Sequence, residues 1–252
     1  MDNTKIDWCD STWNPITGCL HGCEYCYARQ MANRFKGYDK ITLPDVSIDK
    51  GRNVLLVPAE KNGKIAPYPF NFKPTFHKYL LDKPQHWKKP RTIFVGSMTD
   101  LFGDWVPEEW IEEVFTACEK APQHRYLFLT KNPKRYTGLI SKGKLPIKNN
   151  MWYGSTVAEP NTSFIRSAIY NVFLSIEPIL KPLNADIKDF SGIDWVIIGA
   201  ETGNRKNKVI PQKEWITDII EKCDRTRNGI PVFMKNSLIP IVGEENMRRE
   251  FP

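Results

Sequence analysis

The feature that most restricts this chain is a succession of short, near-continuous apolar runs at residues 92–95, 126–129, 151–157, 172–176, 195–198 and 232–234. A strand with one wet face alternates apolar and polar residues, whereas an unbroken run belongs to a strand covered on both faces, as in a parallel sheet. Between the runs lie segments with helical spacing, at 24–35, 107–120, 133–141, 161–170 and 211–223. In one of them Trp110, Ile111, Val114, Phe115 and Cys118 recur with a period near 3.6 behind Pro107, the pattern of an amphipathic helix opened by proline. Strand and helix in alternation predict an α/β fold with right-handed crossovers. About six to eight parallel strands suit a complete or partial (β/α) TIM-like barrel, with a doubly wound open sheet as the alternative. Weaker strand signals lie at 13–17 and 70–75. The Pro- and Lys-rich stretch 38–90 reads as an irregular insertion, around 38–69, plus one βα unit within a single domain spanning 1–252.

Polar or special residues follow the runs repeatedly: Gly96-Ser97-Met98-Thr99-Asp100, Thr130-Lys131-Asn132-Pro133, Ser175-Ile176-Glu177-Pro178 and Gly199-Ala200-Glu201-Thr202-Gly203. In parallel α/β folds the carboxyl ends of strands are where ligands bind. Taken singly, Asp100, Thr130 and Asn132 are also ordinary turn or cap residues.

No apolar run approaches the ~18 residues of a membrane span. The start, MDNTKIDWCD, has neither the basic nor the apolar region of a secretory signal. The expectation is therefore a cytoplasmic protein with no membrane partner, in a compartment where clustered thiols serve as ligands or catalysts rather than disulfides. Of six cysteines, Cys19, Cys23 and Cys26 fall within eight residues. Cys118 and Cys223 close apolar helical stripes and read as small buried hydrophobes. Cys9 is undecided; its closeness to the clustered segment leaves open a place beside the ligand cysteines.

The C-x3-C-x2-C spacing supplies three thiolates and no evident fourth ligand, whereas structural zinc is normally closed by four. His21 lies inside the loop, where geometry disfavours its chelating alongside both neighbours. Three cysteines holding a [4Fe–4S] cluster leave one iron open to a small molecule. S-adenosylmethionine (SAM) can chelate such an iron through its amino and carboxylate groups, and one-electron reduction then breaks its S–C5′ bond to give a 5′-deoxyadenosyl radical.

These residues carry a resemblance. Cys19, Cys23 and Cys26, with Tyr25 before the last, match the radical SAM signature, and WNPITGCLHGCEYCYAR at 13–29 is similar to the cluster loop of spore photoproduct lyase and related DNA-repair-photolyase-like proteins. Over almost the whole chain the sequence more closely resembles the phage Gp37/Gp68 family of three-cysteine proteins. That likeness rests on residues 6–28, WKKPRTIFVGSMTDLF at 87–102, LTKNP at 129–133, LSIEP at 174–178 and DWVIIG at 194–199. It implies a radical SAM barrel with Cys19, Cys23 and Cys26 as cluster ligands, an external electron donor, and a bacterial or phage-infected setting. Ser97, Thr99, Asp100, Lys131, Ser175 and Glu177 would then face SAM or substrate from strand ends. Lys131 is the candidate for the SAM carboxylate, through a charge-assisted bond, or else a solvated turn lysine. Tyr25 contacts adenine, shields the cluster, or simply packs. Spore photoproduct lyase has a hydrogen-donating cysteine in the turn where this chain has Met98, and a thioether has no such hydrogen. The radical chemistry carries over; thymine-dimer repair by that route does not.

Charge bears on the substrate. The chain carries a net +7, and residues 120–158 hold eight basic side chains and no acid: Lys120, Arg125, Lys131, Lys134, Arg135, Lys142, Lys144 and Lys148. Residues 61–91 hold eight more against Asp82 alone. Aromatic residues accompany both blocks, Tyr68, Phe70, Phe72, Tyr79 and Trp87 in one and Tyr126, Tyr136, Trp152 and Tyr153 in the other. Basic grooves with stacking aromatics hold single strands or a flipped base, so DNA or RNA is the expected partner; a solvated basic face over core aromatics is the alternative. The competing functional readings are a radical SAM enzyme on a small metabolite or peptide, with or without a partner protein, and a non-catalytic, metal-stabilised nucleic-acid-binding module.

Overall fold

The computed structural model describes residues 4–35, 46–49, 52–160, 162–183 and 190–252. The chain divides into two units, the first made of 1–4 with 9–128 and the second of 5–8 with 129–252.

In the first unit the elements are β1 (Ser11–Trp13), β2 (Ile16–Thr17), α1 (Tyr27–Arg34), β3 (Val46–Asp49), β4 (Arg52–Leu55), β5 (Glu60–Lys61), β6 (Lys64–Ile65), β7 (Thr75–His77), α2 (Lys83–His86), β8 (Thr92–Val95), α3 (Glu108–Glu119) and β9 (Arg125–Thr130), whose last two residues open the second unit. Strands β1, β8 and β9 pair in that order, all parallel, with Thr12 opposite Phe94 and Phe94 opposite Leu127. A separate mixed sheet runs β2-β7-β4-β3, and β5 and β6 form a small hairpin. Part of the expected insertion around 38–69 lies outside the described residues.

The second unit contains α4 (Lys134–Ser141), β10 (Met151–Thr156), β11 (Asn171–Ile176), β12 (Trp195–Ile198), α5 (Lys213–Asp224), β13 (Val232–Met234) and α6 (Ile239–Val242). Strands β10, β11, β12 and β13 pair consecutively and in parallel. The outer edge of β13 is taken by the C-terminal segment running antiparallel to it: Met234 N–H donates to the Arg248 carbonyl (2.9 Å) and Glu250 N–H to that of Val232 (3.1 Å).

The α/β class and parallel pairing agree with the unbroken apolar runs, because β10 is buried along its whole length and β11 at all but its first residue. Helix α3 turns Trp110, Ile111, Val114, Phe115 and Cys118 inward, and α5 does the same with Ile216, Ile219 and Cys223. Burying each large apolar side chain contributes roughly 1.5–3 kcal/mol. Phe102, Phe115 and Phe128 meet with ring centroids 5.3–6.2 Å apart in the first unit; Trp195 and Phe173 meet at 5.9 Å in the second.

One expected helix is absent. Asn161 lies outside the described residues, and 162–170 are irregular. There the amides that would build a helix donate elsewhere: Ile165 N–H to the Ser155 hydroxyl, Ser167 N–H to the Gly192 carbonyl, and Ile169 and Tyr170 N–H to the Ser167 hydroxyl. The Ser167 hydroxyl offered the backbone a competing local partner, and Ser155 and Gly192 took two further amides from farther along the chain. Among the described residues, no helix is long and apolar enough to cross a membrane.

Candidate functional site

The cysteine loop is fastened at its base to the turn after β8. Between β1 and β2, the Asn14 side-chain oxygen accepts from Met98 N–H (3.0 Å) and from the Ser97 hydroxyl (3.1 Å). Gly18 N–H donates to the Met98 carbonyl (2.9 Å), and the Thr99 hydroxyl donates to the Gly18 carbonyl (2.7 Å). Gly18 sits at φ +90°, and a Cβ there would stand 2.3 Å from the Lys73 carbonyl oxygen, so only glycine allows the chain to enter the loop along this path.

Farther out, His21 Nε2 lies 2.7 Å from Asp100 Oδ2. Asp100 is buried, and its other oxygen accepts from Phe102 N–H (3.0 Å). The Trp105 ring meets His21 edge-on, with centroids 4.9 Å apart. The Tyr27 hydroxyl donates to the Ser97 carbonyl (2.6 Å). Ser97, Thr99 and Asp100, expected to face SAM or substrate, thus all contribute to holding the loop. Tyr25 is half-buried between Cys23 and Cys26.

Cys26 caps α1: its sulfur accepts the Arg29 N–H (3.4 Å), where the open amides of a helix start favour negative charge. Arg29 also donates from Nη2 to the Cys19 carbonyl (3.0 Å), and its guanidinium lies 5.2 Å from the Phe72 ring centroid. Cys19 and Cys26 pack on an apolar floor of Ala28, Ala32, Tyr68, Phe72 and Met98. Burial pushes the Cys19 thiol up to about 11; a backbone hydrogen bond from His21 acts against it, and the fields of Asp100, Cys26 and Cys23 add to it.

By residue type the three cysteines are the soft donors that an iron–sulfur cluster takes, and Cys19 and Cys26 rest on the apolar floor. Arg29 Nε is buried with no hydrogen-bond partner among the described residues. Among the described residues, no group of three or more His, Cys, Asp or Glu side chains is disposed to hold a metal ion, so the thiols share a loop without forming a closed coordination sphere. Cys118 and Cys223 are fully buried in the helical core, as their spacing implied.

The second unit places its expected residues at strand carboxyl ends. Lys131 follows β9 half-buried, Ser175 is buried in β11 opposite Thr156, and Glu177 comes just after β11. Glu177 pairs with Lys235, a residue the sequence reading missed, which follows β13 and donates its N–H to the Ile198 carbonyl (2.9 Å). The pair passes over Gly199, where a Cβ would lie 3.0 Å from Lys235 Cδ and 3.4 Å from Glu177 Cγ. The signal was present: Lys235-Asn236 follows its strand as Lys131-Asn132 follows β9. Glu201 is buried and braces its own loop, accepting Arg205 Nε at 2.7 Å and Nη2 at 2.8 Å. That guanidinium holds the Glu201 carboxyl below its ordinary value against the opposing effect of burial.

The aromatic residues of the basic blocks mostly belong to the core. Tyr126, Tyr136, Trp152 and Tyr153 are all buried, as are Tyr68, Phe72 and Trp87. Phe70 and Tyr79 pack against the buried trio Leu55, Ala59 and Ala66. The expected stacking aromatics are thus packing residues, and the alternative of a basic surface over core aromatics describes these blocks.

Residues 3–238 match a family described as "Protein of unknown function (DUF5131)". No curated protein and no solved structure matches the chain. Because the matched span takes in the cysteine loop, its Asp100 fastening and the Glu177–Lys235 pair, the residues described above lie within the family's own sequence, and the chain belongs to the DUF5131 family.

Proposed function

We propose that this chain is a radical SAM enzyme acting on nucleic acid, built as a partial β/α barrel in which Cys19, Cys23 and Cys26 hold a [4Fe–4S] cluster and SAM is the co-substrate. The observation that carries this reading is the three-cysteine loop fastened over a buried apolar floor at the carboxyl ends of β1 and β8. When bound, the cluster and SAM supply one-electron cleavage of a sulfur–carbon bond and a carbon radical able to abstract hydrogen. An external electron donor is required.

The chain's own residues have separable tasks. Asn14, Ser97, Thr99 and Asp100 fix the loop's path. Ala28, Ala32, Tyr68, Phe72 and Met98 exclude water from below the thiols. Arg29 ties the loop to α1 and offers Nε–H to whatever the cysteines hold. Lys131, with Ser175 and Glu177, is retained as the ligand-binding set of the second unit, with Lys131 the carboxylate partner. Met98 donates no hydrogen atom, so the proposed reaction does not include thymine-dimer repair through that position.

The test is iron and acid-labile sulfide content after anaerobic reconstitution. Four irons and four sulfides per chain, lost together in Cys19→Ala, Cys23→Ala and Cys26→Ala, are expected from a [4Fe–4S] centre. A colourless protein loaded with zinc would overturn the reading in favour of a non-catalytic binding module.

A further inference from the structure

We propose that Arg29 is the counter-cation of the group held by Cys19, Cys23 and Cys26, and that its charge makes that group easier to reduce. The inference rests on the [4Fe–4S] reading above and deepens it by naming a residue that sets how readily the cluster takes its electron.

Arg29 is placed by the same local structure that places the cysteines. It lies in the first turn of α1, three residues after Cys26, where a helix start leaves backbone amides open. Its own N–H is taken by the Cys26 sulfur (3.4 Å). At the other end of the loop the Cys19 carbonyl accepts from Arg29 Nη2 (3.0 Å). One residue thus bonds to both outer cysteines, and its guanidinium is fixed beside the loop. The guanidinium carbon lies 5.2 Å from the Phe72 ring centroid, and Phe72 belongs to the floor on which Cys19 and Cys26 rest. Residues 6–33 contain no other lysine or arginine, so the loop and α1 as far as Asn33 carry this single permanent cation.

Two features of the arrangement call for an anionic group. A cation over an apolar floor is screened less by water than an exposed one, so its field on its neighbours is stronger. Its Nε–H is also buried with no hydrogen-bond partner among the described residues, which costs about 1–3 kcal/mol until an acceptor is present. A brace for the loop needs only Nη2; it gives no use to Nε or to the charge. Sulfur held by three cysteines supplies both what is missing, a negative charge and an acceptor.

The consequence is redox. One electron enters from the external donor, no proton is taken up and no bond in the protein is made or broken. The centre with its thiolates gains a negative charge in that step, so a fixed cation stabilises the reduced form more than the oxidised one and raises the midpoint potential. Arginine suits the task because it stays charged at every working pH.

The experiment compares the full chain with Arg29→Gln, Arg29→Lys and Arg34→Gln after anaerobic reconstitution. Iron content and melting temperature are read first, then the midpoint potential by redox titration followed by electron paramagnetic resonance. Arg29→Gln keeps an amide able to donate to the Cys19 carbonyl and removes the charge, whereas Arg29→Lys keeps the charge. Arg34→Gln removes the same charge from an exposed position in the last turn of α1. The expected result is full iron in all four proteins. At the wild-type midpoint, Arg29→Gln should lower the ratio of reduced to oxidised cluster at least about tenfold, a shift of about 59 mV for one electron. Arg29→Lys should stay closer to wild type, and Arg34→Gln should change little because solvent screens it. An unchanged potential in Arg29→Gln, an equal shift in Arg29→Lys or Arg34→Gln, or loss of iron from either Arg29 variant, which would make the residue a brace, would each overturn the proposal. A wild type that takes up zinc and no iron would instead strike the [4Fe–4S] reading itself, and metal content shows this before any potential is measured.

Discussion

The imidazole of His21 and the carboxylate of Asp100 stand 2.7 Å apart, joining the middle of the cysteine loop to the turn after β8. Asp100 is buried and its second oxygen caps the Phe102 amide, so one side chain fixes both the loop and the turn beneath it. The residue that the sequence marks as a strand-end ligand group thereby acts on the thiols through loop position.

Asp100→Ala is expected to leave the Phe102 amide and His21 without this partner, at a cost of about 1–3 kcal/mol in folding stability. Iron retention after reconstitution should fall with it, because the loop loses its outer fastening. Asp100→Asn keeps a hydrogen-bonding side chain of the same shape and should recover most of both. Urea unfolding and iron content on the three proteins check this; full iron retention by Asp100→Ala would show that the fastening is not needed.

Gly18→Ala should be more damaging than an ordinary surface change. The new Cβ would meet the Lys73 carbonyl at 2.3 Å and sit on a backbone at φ +90°. A loss of roughly 2 kcal/mol or more is expected, with the loop displaced from the Thr99 turn. Thermal unfolding reads the first effect, and protease sensitivity between β2 and α1 reads the second.

His77 makes stability depend on pH. It is fully enclosed, bonded through Nε2 to the Thr17 hydroxyl (2.9 Å) and through Nδ1 to the Tyr79 hydroxyl (3.3 Å), and burial lowers it to about 4. Above pH ~6.5 the imidazole is neutral in folded and unfolded chains, and its contribution is fully present. As pH falls from ~6.5 toward about 4 only the unfolded chain takes up the proton, so stability declines by up to ~3 kcal/mol. Unfolding free energies measured across that window should slope in wild type, and His77→Gln should remove that part of the slope.

The cysteines should separate by function. Cys118 lies in the buried face of α3, and Cys118→Ala is expected to cost about 1–2 kcal/mol in packing while leaving iron content unchanged. Cys23 is half-buried on the loop, and Cys23→Ala should lose the iron with little change in the unfolding of the apoprotein. The two variants measured side by side for iron and for stability test the division.

Much of the second unit was legible because its chemistry is local. The apolar runs of β10 to β13 and the Pro-opened stripe of α5 announce their elements without knowledge of their neighbours, as the stripe of α3 does in the first unit. The mixed sheet β2-β7-β4-β3 was not legible, because its strands are two to four residues long and too short to show a period. The same limit hid the split at Asn14-Pro15, where one weak strand signal proved to be β1 and β2. At 161–170 the spacing suggested a helix, and the hydroxyls of Ser155 and Ser167 captured the amides it needed. The cysteines were evident from spacing alone. For Lys235 the sequence shows only its place after a strand, beside Asn236; that it meets Glu177 across Gly199 is a tertiary relation. The aromatics of the basic blocks misled for a related reason: composition records that Tyr136 and Trp152 lie near lysines, and only packing shows that they face the core.

The most direct measurement is 5′-deoxyadenosine released when the anaerobically reconstituted protein is given SAM and a strong reductant, with and without nucleic acid. Release by wild type, none by Cys19→Ala, Cys23→Ala or Cys26→Ala, and stimulation by a DNA or RNA substrate are expected. No release from a protein carrying its full complement of iron and sulfide would contradict the radical SAM reading.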